Sequence, residues 1–527
     1  MKRKINILFT TITSLLLIIL AFSSCQRFLD RKPLTATIGD LGSGTLDGQS
    51  FNLYSTLRYA GFSTLPWIDF NSIRDDDAQK GSSQTDGAEI NAEFETFQYT
   101  KDDWATDTYW NDHYSMINLA NTEIYYGRDS LKVTDEASLR DLGEAHFFRA
   151  YSFFDLVKAY GEVPLLNFYF KNPAEGIIPK SPVADIYAQI DADLDTASMY
   201  LPLNWNDANG NNQYPGRLTS GAAKALWAQT YLFRKQWDKV VSLCKDVIAS
   251  GEYNLAPTFP DIWKDGVNGV GKNGPESIFE MQSLVGQNGT PYYGVQWGTS
   301  QEVRQGGASV AWNLGWGWNT PTQHLVNDWD NSDPRKNQTI LYSGQPDGGP
   351  AEGGFGATLP PYNKDSLGKS GFLDQPYWNK KVYTGDDPAM RAYTGEINNS
   401  GGADWINHRI IRYADVLLML AEASNELGDG ATAENMLEQV RARARGGDNS
   451  VLPHIAYTSQ SQMRTAIKNE RRWEFAMEGY RFYDLVRWGD AQSVLGSLGY
   501  QPKNAWYPIP QPAIDLSGGV LKQNPNY

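Results

Sequence analysis

The chain has 527 residues, a formal net charge of −15 at neutral pH and an aromatic content of 13%. A surface this acidic repels phosphate groups, so the charge argues against nucleic acid as a partner. With two cysteines the chain has no disulfide framework, so its stability must come from an apolar core, for which it is long enough.

Residues 1–24 have the features of a secretory signal peptide. The basic start MKRK precedes the apolar run ITSLLLIILAF, which is too short to span a bilayer, and the segment ends before Cys25. A cysteine at the cleavage point predicts lipidation of its thiol and of the new amino terminus. We therefore expect a lipoprotein anchored through Cys25, and a mature chain of residues 25–527 that forms a single unit.

Two stretches, about 110–250 and 404–490, are helical in pattern. Residues 216–255 predict two helices joined at RKQW, with small side chains every three residues at Ala222, Ala225 and Ala228. Residues 413–444 repeat this design with LGDG as the turn. Such hairpins are typical of tetratricopeptide repeats, which bury their apolar faces by stacking. The predicted class is mainly α, with helical hairpins stacked as a platform.

Residues 251–402 follow a different pattern, because they hold about half of the 49 glycines. This density predicts long loops and short strands. Within this portion, the segment SVAWNLGWGWNT (309–320) allows two interpretations. Alternation of Trp312, Leu314, Trp316 and Trp318 with Asn and Gly favours a half-buried strand. A mainly helical fold offers little sheet to cover it, which favours instead an exposed aromatic shelf for a ligand.

Four segments along the chain carry a resemblance to a known family. They are CQRFLDRKPL after residue 24, GEAHFFRAYSFFDLVKAYGEVPLL (143–166), NERRWEFAMEGYRFYDLVRWG (469–489) and YPIPQPAIDLSGGVLKQNPNY (507–527). In this order they resemble the SusD/RagB family of surface glycan-binding lipoproteins. The resemblance implies tetratricopeptide-like units and a loop-rich ligand-binding portion. It also implies an outer-membrane protein that faces the cell exterior and delivers oligosaccharides to a TonB-dependent (SusC-like) transporter.

The resemblance and the chemistry of sugars together suggest the ligand-binding residues. A sugar presents flat C–H patches and a rim of hydroxyls, which an indole face and neighbouring polar groups can contact. We expect the shelf to supply some of these contacts and an early segment, PWIDFNSIRDDD (66–77), to supply others. The candidate residues are Trp312, Trp316, Trp318, Asn319, Trp297, Tyr293, Trp67, Asn71, Arg74 and Asp75. No catalytic residue, metal ligand or cofactor is predicted.

Two charged segments allow a functional or a structural interpretation. The segment ERRWEFAMEGYRFYDLVRWG has the residue types of a catalytic site, but its charges stand three apart, as on one helix. The predicted pairs are Arg471–Glu474, Glu478–Arg481, Arg481–Asp484 and Asp484–Arg487. The run RDDD (74–77) could bind calcium or a sugar hydroxyl, although it lacks the ligand spacing of a calcium-binding hand. A structural helix and a solvated acidic loop are the favoured interpretations.

Three other functions remain open at this point. A surface glycoside hydrolase needs two carboxylates across one bond, and nothing in the sequence singles out such a pair among 61 acidic residues. A scaffold without a ligand, or a binder of peptides or glycoproteins, could be built on the same fold. We favour non-catalytic oligosaccharide binding.

Overall fold

Helices dominate the structure, a computed structural model that describes residues 46–83, 86–87, 93–266, 271–289, 292–305, 312–385, 389 and 404–527. The predicted signal peptide and Cys25 lie outside these residues. The helices are α1 Asp47–Thr56, α2 Ala60–Ser63, α3 Leu65–Asn71, α4 Trp104–Ile124, α5 Glu136–Tyr160, α6 Val183–Tyr200, α7 Ser220–Phe233, α8 Trp237–Ala249, α9 Gln296–Gln301, α10 Gln323–Asp328, α11 Pro334–Thr339, α12 Tyr413–Glu426, α13 Gly430–Arg445, α14 Gln460–Glu474, α15 Arg481–Trp488, α16 Ala491–Leu495 and α17 Gln511–Leu516.

The long helices form antiparallel hairpins, as the sequence predicts. Helix α7 joins α8 through residues 234–236, and α12 joins α13 through residues 427–429. Along the chain α4 packs on α5, α5 on α6 and α6 on α7, and α8 also packs on α12. Ala222, Ala225 and Ala228 are fully buried, because small side chains let neighbouring helices approach closely. The mainly α class with tetratricopeptide-like hairpins is confirmed.

Polar side chains determine where several of these helices begin. Asp135 accepts a hydrogen bond from the backbone N–H of Ser138 at the start of α5, at 2.9 Å. Thr219 does the same for Ala222 at the start of α7, and Asp429 for Thr432 at the start of α13. Each contact satisfies an N–H group that the first helical turn leaves without a partner.

The strands are short and form four two-stranded antiparallel sheets in the described residues. They are β1 Ala78–Gly81, β2 Ser277–Met281, β3 Leu284–Val285, β4 Tyr292–Tyr293, β5 Trp318–Pro321, β6 Ile340–Tyr342, β7 Tyr377–Asn379 and β8 His408–Arg412. The pairs are β1–β5, β2–β8, β3–β4 and β6–β7. Strand β5 carries Trp318, which pairs with Gly81, so the β1–β5 pair brings the residues that directly follow the early segment against the tryptophan-rich segment.

The segment ERRWEFAMEGYRFYDLVRWG does not form one helix. Helix α14 ends at Glu474 and α15 begins at Arg481, and between them Met477 and Gly479 have φ angles of 68° and 78°. Of the four predicted pairs, the contact between Asp484 and Arg487 is present at 2.7 Å. The break redirects the other charges to distant partners, so the prediction of a single helix is wrong.

These redirected charges form buried ion pairs with other elements. Glu474 pairs with Arg412 and Arg443, and Glu478 pairs with Arg412 and Lys381. Burial alone would raise the pKa of Glu474, but the surrounding cations outweigh burial and lower it. The segment is structural, as the sequence indicates, but most of these ion pairs join different elements, and the Asp484–Arg487 pair lies within one helix.

The run RDDD is buried as well, so its assignment as a solvated loop is wrong. Asp76 pairs with Arg481 at 2.8 Å, and Asp77 pairs with Arg472 at 2.6 Å. Both arginines come from the segment just described. Two acidic side chains that precede β1 therefore join it to the C-terminal part of the chain.

Candidate functional site

Two glycines hold the tryptophan-rich segment tightly against α9 and the residues that follow it. The N–H of Trp316 donates to the carbonyl of Thr299 at 2.7 Å, and the N–H of Leu314 donates to that of Val303 at 2.9 Å. A Cβ atom on Gly315 would overlap the carbonyl oxygen of Thr299. Gly317 has a φ of 75°, which favours glycine. The backbone of this segment is therefore closely packed, in spite of its glycines.

This segment forms one wall of an open pocket of about 390 Å³, which we call the Trp316 pocket. Its described lining residues are Leu65, Asp86, Arg304, Asn313, Gly315, Trp316 and Trp318. Trp316 and Asn313 are half-buried, so each keeps part of its surface open to a ligand. Trp318 is only 2% exposed and forms part of the floor. Ligand pockets in proteins are typically about 300–1,000 Å³ in volume.

Arg304 is the charged centre of the Trp316 pocket. Its guanidinium group bonds to the hydroxyl of Ser82 and pairs with Asp86, and its Nε lies 3.4 Å from a carboxylate oxygen of Asp374. Partial burial alone would raise the pKa of Asp86, but hydrogen bonds from Ser82 and Arg304 outweigh it and lower that pKa. Asp86 is therefore an ionised acceptor at neutral pH, next to a fixed cation.

The four candidates from the tryptophan-rich segment have different environments. Trp316 lines the pocket, and Trp312 is half-buried against an apolar cluster that includes Leu314. Asn319 is fully buried, where it donates to Gln301 and accepts from Ser72, each at 2.7 Å. It is a structural bridge and is not among the described residues that line the Trp316 pocket.

Trp67, Trp297 and Asn71 are buried as well, and none of them is among the described residues that line the Trp316 pocket. The rings of Trp67 and Trp297 meet edge to face at 4.7 Å, and Trp297 stacks on His408 at 3.7 Å. Asn71 donates to the carbonyl of Trp67 at 2.9 Å. Burial lowers the pKa of His408 to about 3, so its imidazole is neutral. The side chains of Trp67, Trp297 and His408 thus pack together in the protein interior.

The charged candidates of the early segment are buried too, and neither is among the described residues that line the Trp316 pocket. The guanidinium of Arg74 lies 3.7 Å from the ring centre of Phe482 and 3.8 Å from that of Tyr507. Asp75 accepts from the backbone N–H groups of Asp77 and Ala78 at 2.8 and 2.9 Å. The first contact is a cation–π interaction, and the second shapes the turn before β1.

Tyr293 is 58% exposed, and Arg58 lies 6.0 Å from its ring centre. It belongs to the β3–β4 hairpin and is not among the described residues that line the Trp316 pocket. Tyr293 therefore shares no pocket wall with the candidates that line the Trp316 pocket.

Sequence reasoning missed Arg304, Asp86 and Leu65. Asn313 stands inside the tryptophan-rich segment, so its neighbourhood signalled it. Arg304 and Asp86 belong to no motif and are 218 positions apart, and only folding pairs them. Their contact depends on tertiary structure, which no local pattern encodes.

The described residues contain neither a metal-binding cluster nor a membrane-spanning helix. No group of three His, Cys, Asp or Glu side chains is placed to hold a metal ion. In the part of the chain that the structure describes, no helix has both the length and the apolar character of a membrane span.

Comparison with known proteins shows which family of proteins this chain resembles in sequence. The family description "SusD family" matches residues 275–505, and "Starch-binding associating with outer membrane" matches residues 69–232. The chain belongs to the SusD/RagB family. The resemblance seen in the sequence is thereby confirmed, and the second description links family members to the outer membrane.

Three similar proteins illustrate the match. SusD-like protein P2 of Formosa agariphila is 27% identical over 470 residues, which cover 86% of this chain and 87% of that protein. A laminarin-binding SusD-like protein of known structure has a TM-score of 0.69 at 25% identity, covering 92% and 99% of the two chains. Surface glycan-binding protein A of Bacteroides thetaiotaomicron, solved with laminarihexaose, has a TM-score of 0.70 at 20% identity over 92% and 99%. The last likeness concerns the fold alone.

Proposed function

We propose that this SusD/RagB-family protein binds oligosaccharides in the Trp316 pocket and releases them uncleaved. The observation that carries the proposal is a half-buried indole beside a fixed Arg304–Asp86 ion pair and the amide of Asn313. The name of one similar protein, a laminarin-binding SusD-like protein, supports the same ligand class.

The lining offers both kinds of contact that a sugar requires. The indole of Trp316 provides apolar area for the C–H face of a sugar ring. Arg304 provides donors, Asp86 provides ionised acceptors, and the Asn313 amide provides both, so these groups can bond to the surrounding hydroxyls. Because Gly315 and Gly317 fix the backbone on both sides of Trp316, the indole loses little freedom on binding.

The single carboxyl group in the described lining of the pocket, that of Asp86, supports binding without cleavage. Glycoside hydrolysis uses two carboxyl groups across the scissile bond, one of them a general acid with a raised pKa. Among the described lining residues, Asp86 is the one with a carboxyl group, and the pKa of that group is lowered. A lowered pKa makes it a poor proton donor at neutral pH.

The cellular role that we propose follows from the lipoprotein signal and the family. The mature protein is anchored to the outer membrane through lipid on Cys25 and faces the cell exterior. There it passes bound oligosaccharides to a TonB-dependent transporter of the SusC type. The family description of association with the outer membrane supports this location.

Titration calorimetry on the purified mature protein tests the proposal. The probes are laminarihexaose, maltohexaose and xylohexaose, and chromatography after incubation shows whether each is intact. Trp316→Ala should weaken binding about ten- to a hundredfold, since the loss of a stacked ring costs about 1–3 kcal/mol by analogy with base stacking. Trp104→Ala is the matched control, because Trp104 is 42% exposed on α4 and is not a lining residue.

Three results would contradict the proposal. No binding of any of the three probes would remove its main support, and peptide binding in their place would favour the peptide alternative. Shorter sugars released by the wild-type protein would promote the hydrolase alternative. Equal weakening by Trp316→Ala and Trp104→Ala would mean that the Trp316 pocket is not the site.

A further inference from the structure

A second cavity, of about 270 Å³, lies elsewhere in the loop-rich portion of the chain. It shares no described lining residue with the Trp316 pocket. We call it the Trp263 cavity, and the residues that matter here are Trp263, Gln338, Phe355, Lys380, Tyr383 and Trp405. Its volume is near the lower end of the range typical of small-molecule sites.

Aromatic side chains supply the apolar surface of the Trp263 cavity. Trp405 and Tyr383 are buried, whereas Phe355 is 42% exposed. The rings of Phe355 and Tyr383 meet at 5.7 Å with an angle of 74° between their planes. Phe355 is thus a partly open ring, supported by one that is fixed in the core. Flat apolar faces beside polar atoms suit a ring with C–H faces and polar edges.

Two polar atoms of this lining are buried without a partner among the described residues. They are the indole Nε1 of Trp263, a donor, and the amide Oε1 of Gln338, an acceptor. A buried polar group that makes no hydrogen bond costs free energy, so such atoms are rare in native proteins. Both belong to side chains that line the same cavity, so this lining holds one donor and one acceptor that the described residues leave unsatisfied.

The charges of the cavity are largely neutralised by the protein itself. Asp265 pairs with Arg409, and Lys264 lies 3.0 Å from Asp261. The ammonium of Lys380 donates to the backbone carbonyls of Asn337 and Asp347, at 3.0 and 2.6 Å. An ammonium has three donor hydrogens, so one remains for a ligand. This lining favours an uncharged ligand with several hydrogen-bonding groups.

The loop that carries Phe355 is preorganised by hydrogen bonds within the protein. The carboxylate of Asp347 accepts from the N–H groups of Phe355 and Ala357, each at 2.9 Å, and from the hydroxyl of Tyr383 at 3.0 Å. Gly354 is packed so closely that a Cβ atom would overlap the carbonyl oxygen of Asp347. A ligand would meet a formed surface, so it would not have to order this loop.

We infer that the Trp263 cavity binds one hydroxylated sugar ring, as a free monosaccharide or as the end unit of a longer glycan. A hydroxyl group both donates and accepts, so neighbouring hydroxyls of one ring can meet the Trp263 N–H, the Gln338 carbonyl oxygen and the Lys380 ammonium. The aromatic walls then cover the C–H faces. This site is separate from the Trp316 pocket, and either can fail without the other.

Saturation-transfer NMR on the purified mature protein tests the inference. The probes are glucose, galactose, mannose and xylose, with glucuronate added because a carboxylate could use Lys380. Trp263→Phe keeps a ring but removes the N–H, and Gln338→Met keeps the length but removes the acceptor. Each should weaken binding of the monosaccharide by about tenfold, because the ligand loses one buried hydrogen bond.

Trp316→Ala is the control variant, and it should leave monosaccharide binding unchanged. In the converse measurement, Trp263→Phe should leave binding of the six-unit probes at the Trp316 pocket unchanged. The inference is overturned if no probe binds the wild-type protein. It is equally overturned if Trp263→Phe and Gln338→Met both bind as the wild type does, or if Trp316→Ala loses the monosaccharide. Using two cavity variants guards against misfolding of one, which a thermal melt detects.

Discussion

Asp76 and Arg481 are 405 positions apart, and their side chains form a two-point ion pair with distances of 2.8 and 2.9 Å. Burial alone would raise the pKa of Asp76, but the hydrogen bonds and the charge of Arg481 outweigh it and lower that pKa. Asp76 stands directly before the segment that forms β1, and β1 pairs with the strand that carries Trp318. The ion pair therefore joins the C-terminal helices to the base of the Trp316 pocket.

The first prediction concerns this pair. Arg481→Met should lower the free energy of unfolding by about 3–5 kcal/mol, because it removes the two shortest ion-pair contacts of a buried carboxylate. Urea denaturation at neutral pH measures the change. Arg128→Met is the control, since Arg128 pairs with Asp129 on the surface and such pairs contribute about 0–1 kcal/mol. Equal effects of the two substitutions would show that the buried pair is not important for stability.

The second prediction separates the two neighbouring tryptophans of the Trp316 pocket. Trp318 is buried, and the ammonium of Lys80 lies 4.9 Å from its ring centre. Trp318→Ala should cost about 3–5 kcal/mol of stability and lower the melting temperature by several degrees. Trp316→Ala should cost mainly affinity. A melt and a calorimetric titration of each variant measure both quantities, and a larger melting shift for Trp316→Ala would reverse the two roles.

The third prediction concerns stability in acid. The pKa of Asp193 is about 2: burial alone would raise it, but Arg149 and His146 outweigh burial. The folded-state pKa of Asp193 is below the unfolded value of about 3.9. The stability that its ionised form contributes is therefore complete when the pH is above the unfolded pKa, and it is lost as the pH falls towards 2. Asp193→Asn should reduce stability at pH 5 by about 2 kcal/mol and flatten the loss between pH 4 and 2.5.

Urea denaturation at several pH values between 5 and 2.5 measures this dependence. Asp102→Asn is the control, because Asp102 is largely exposed and pairs with Lys101 at the surface. An acid profile of Asp193→Asn that runs parallel to the wild-type profile would contradict the assignment. Asp155, whose pKa is also about 2, should behave as Asp193 does.

The fourth prediction concerns the anchor. Cys25→Ala should leave the protein without lipid and shift it from the membrane fraction to the soluble fraction, because lipid on Cys25 is the proposed attachment. Fractionation followed by a salt wash and immunoblotting measures the shift. A Cys25→Ala variant that stays in the washed membrane pellet would exclude the lipoprotein mechanism. Cys244→Ala is the control, since Cys244 is a buried side chain of α8.

The helical hairpins could be predicted from the sequence because their signals are local. Small residues three apart, such as Ala222 and Ala225, and turns such as LGDG determine helices through contacts within a few residues. The same reasoning failed where the chain breaks at Met477 and Gly479. There, long-range ion pairs of Glu474 and Glu478 accompany the end of a helical pattern.

The sequence by itself determined the family, the helical class and the segment in which Trp316 lies. Only the tertiary structure decided which candidate side chains reach a pocket. Trp67, Arg74, Trp297 and Asn319 have the chemistry of sugar-binding residues, yet each is buried against other parts of the chain and lies outside the described lining of the Trp316 pocket. The type of a side chain states which contacts it can make, whereas burial depends on the elements that pack against it. Those elements come from positions hundreds of residues away, so burial is a property of the whole fold.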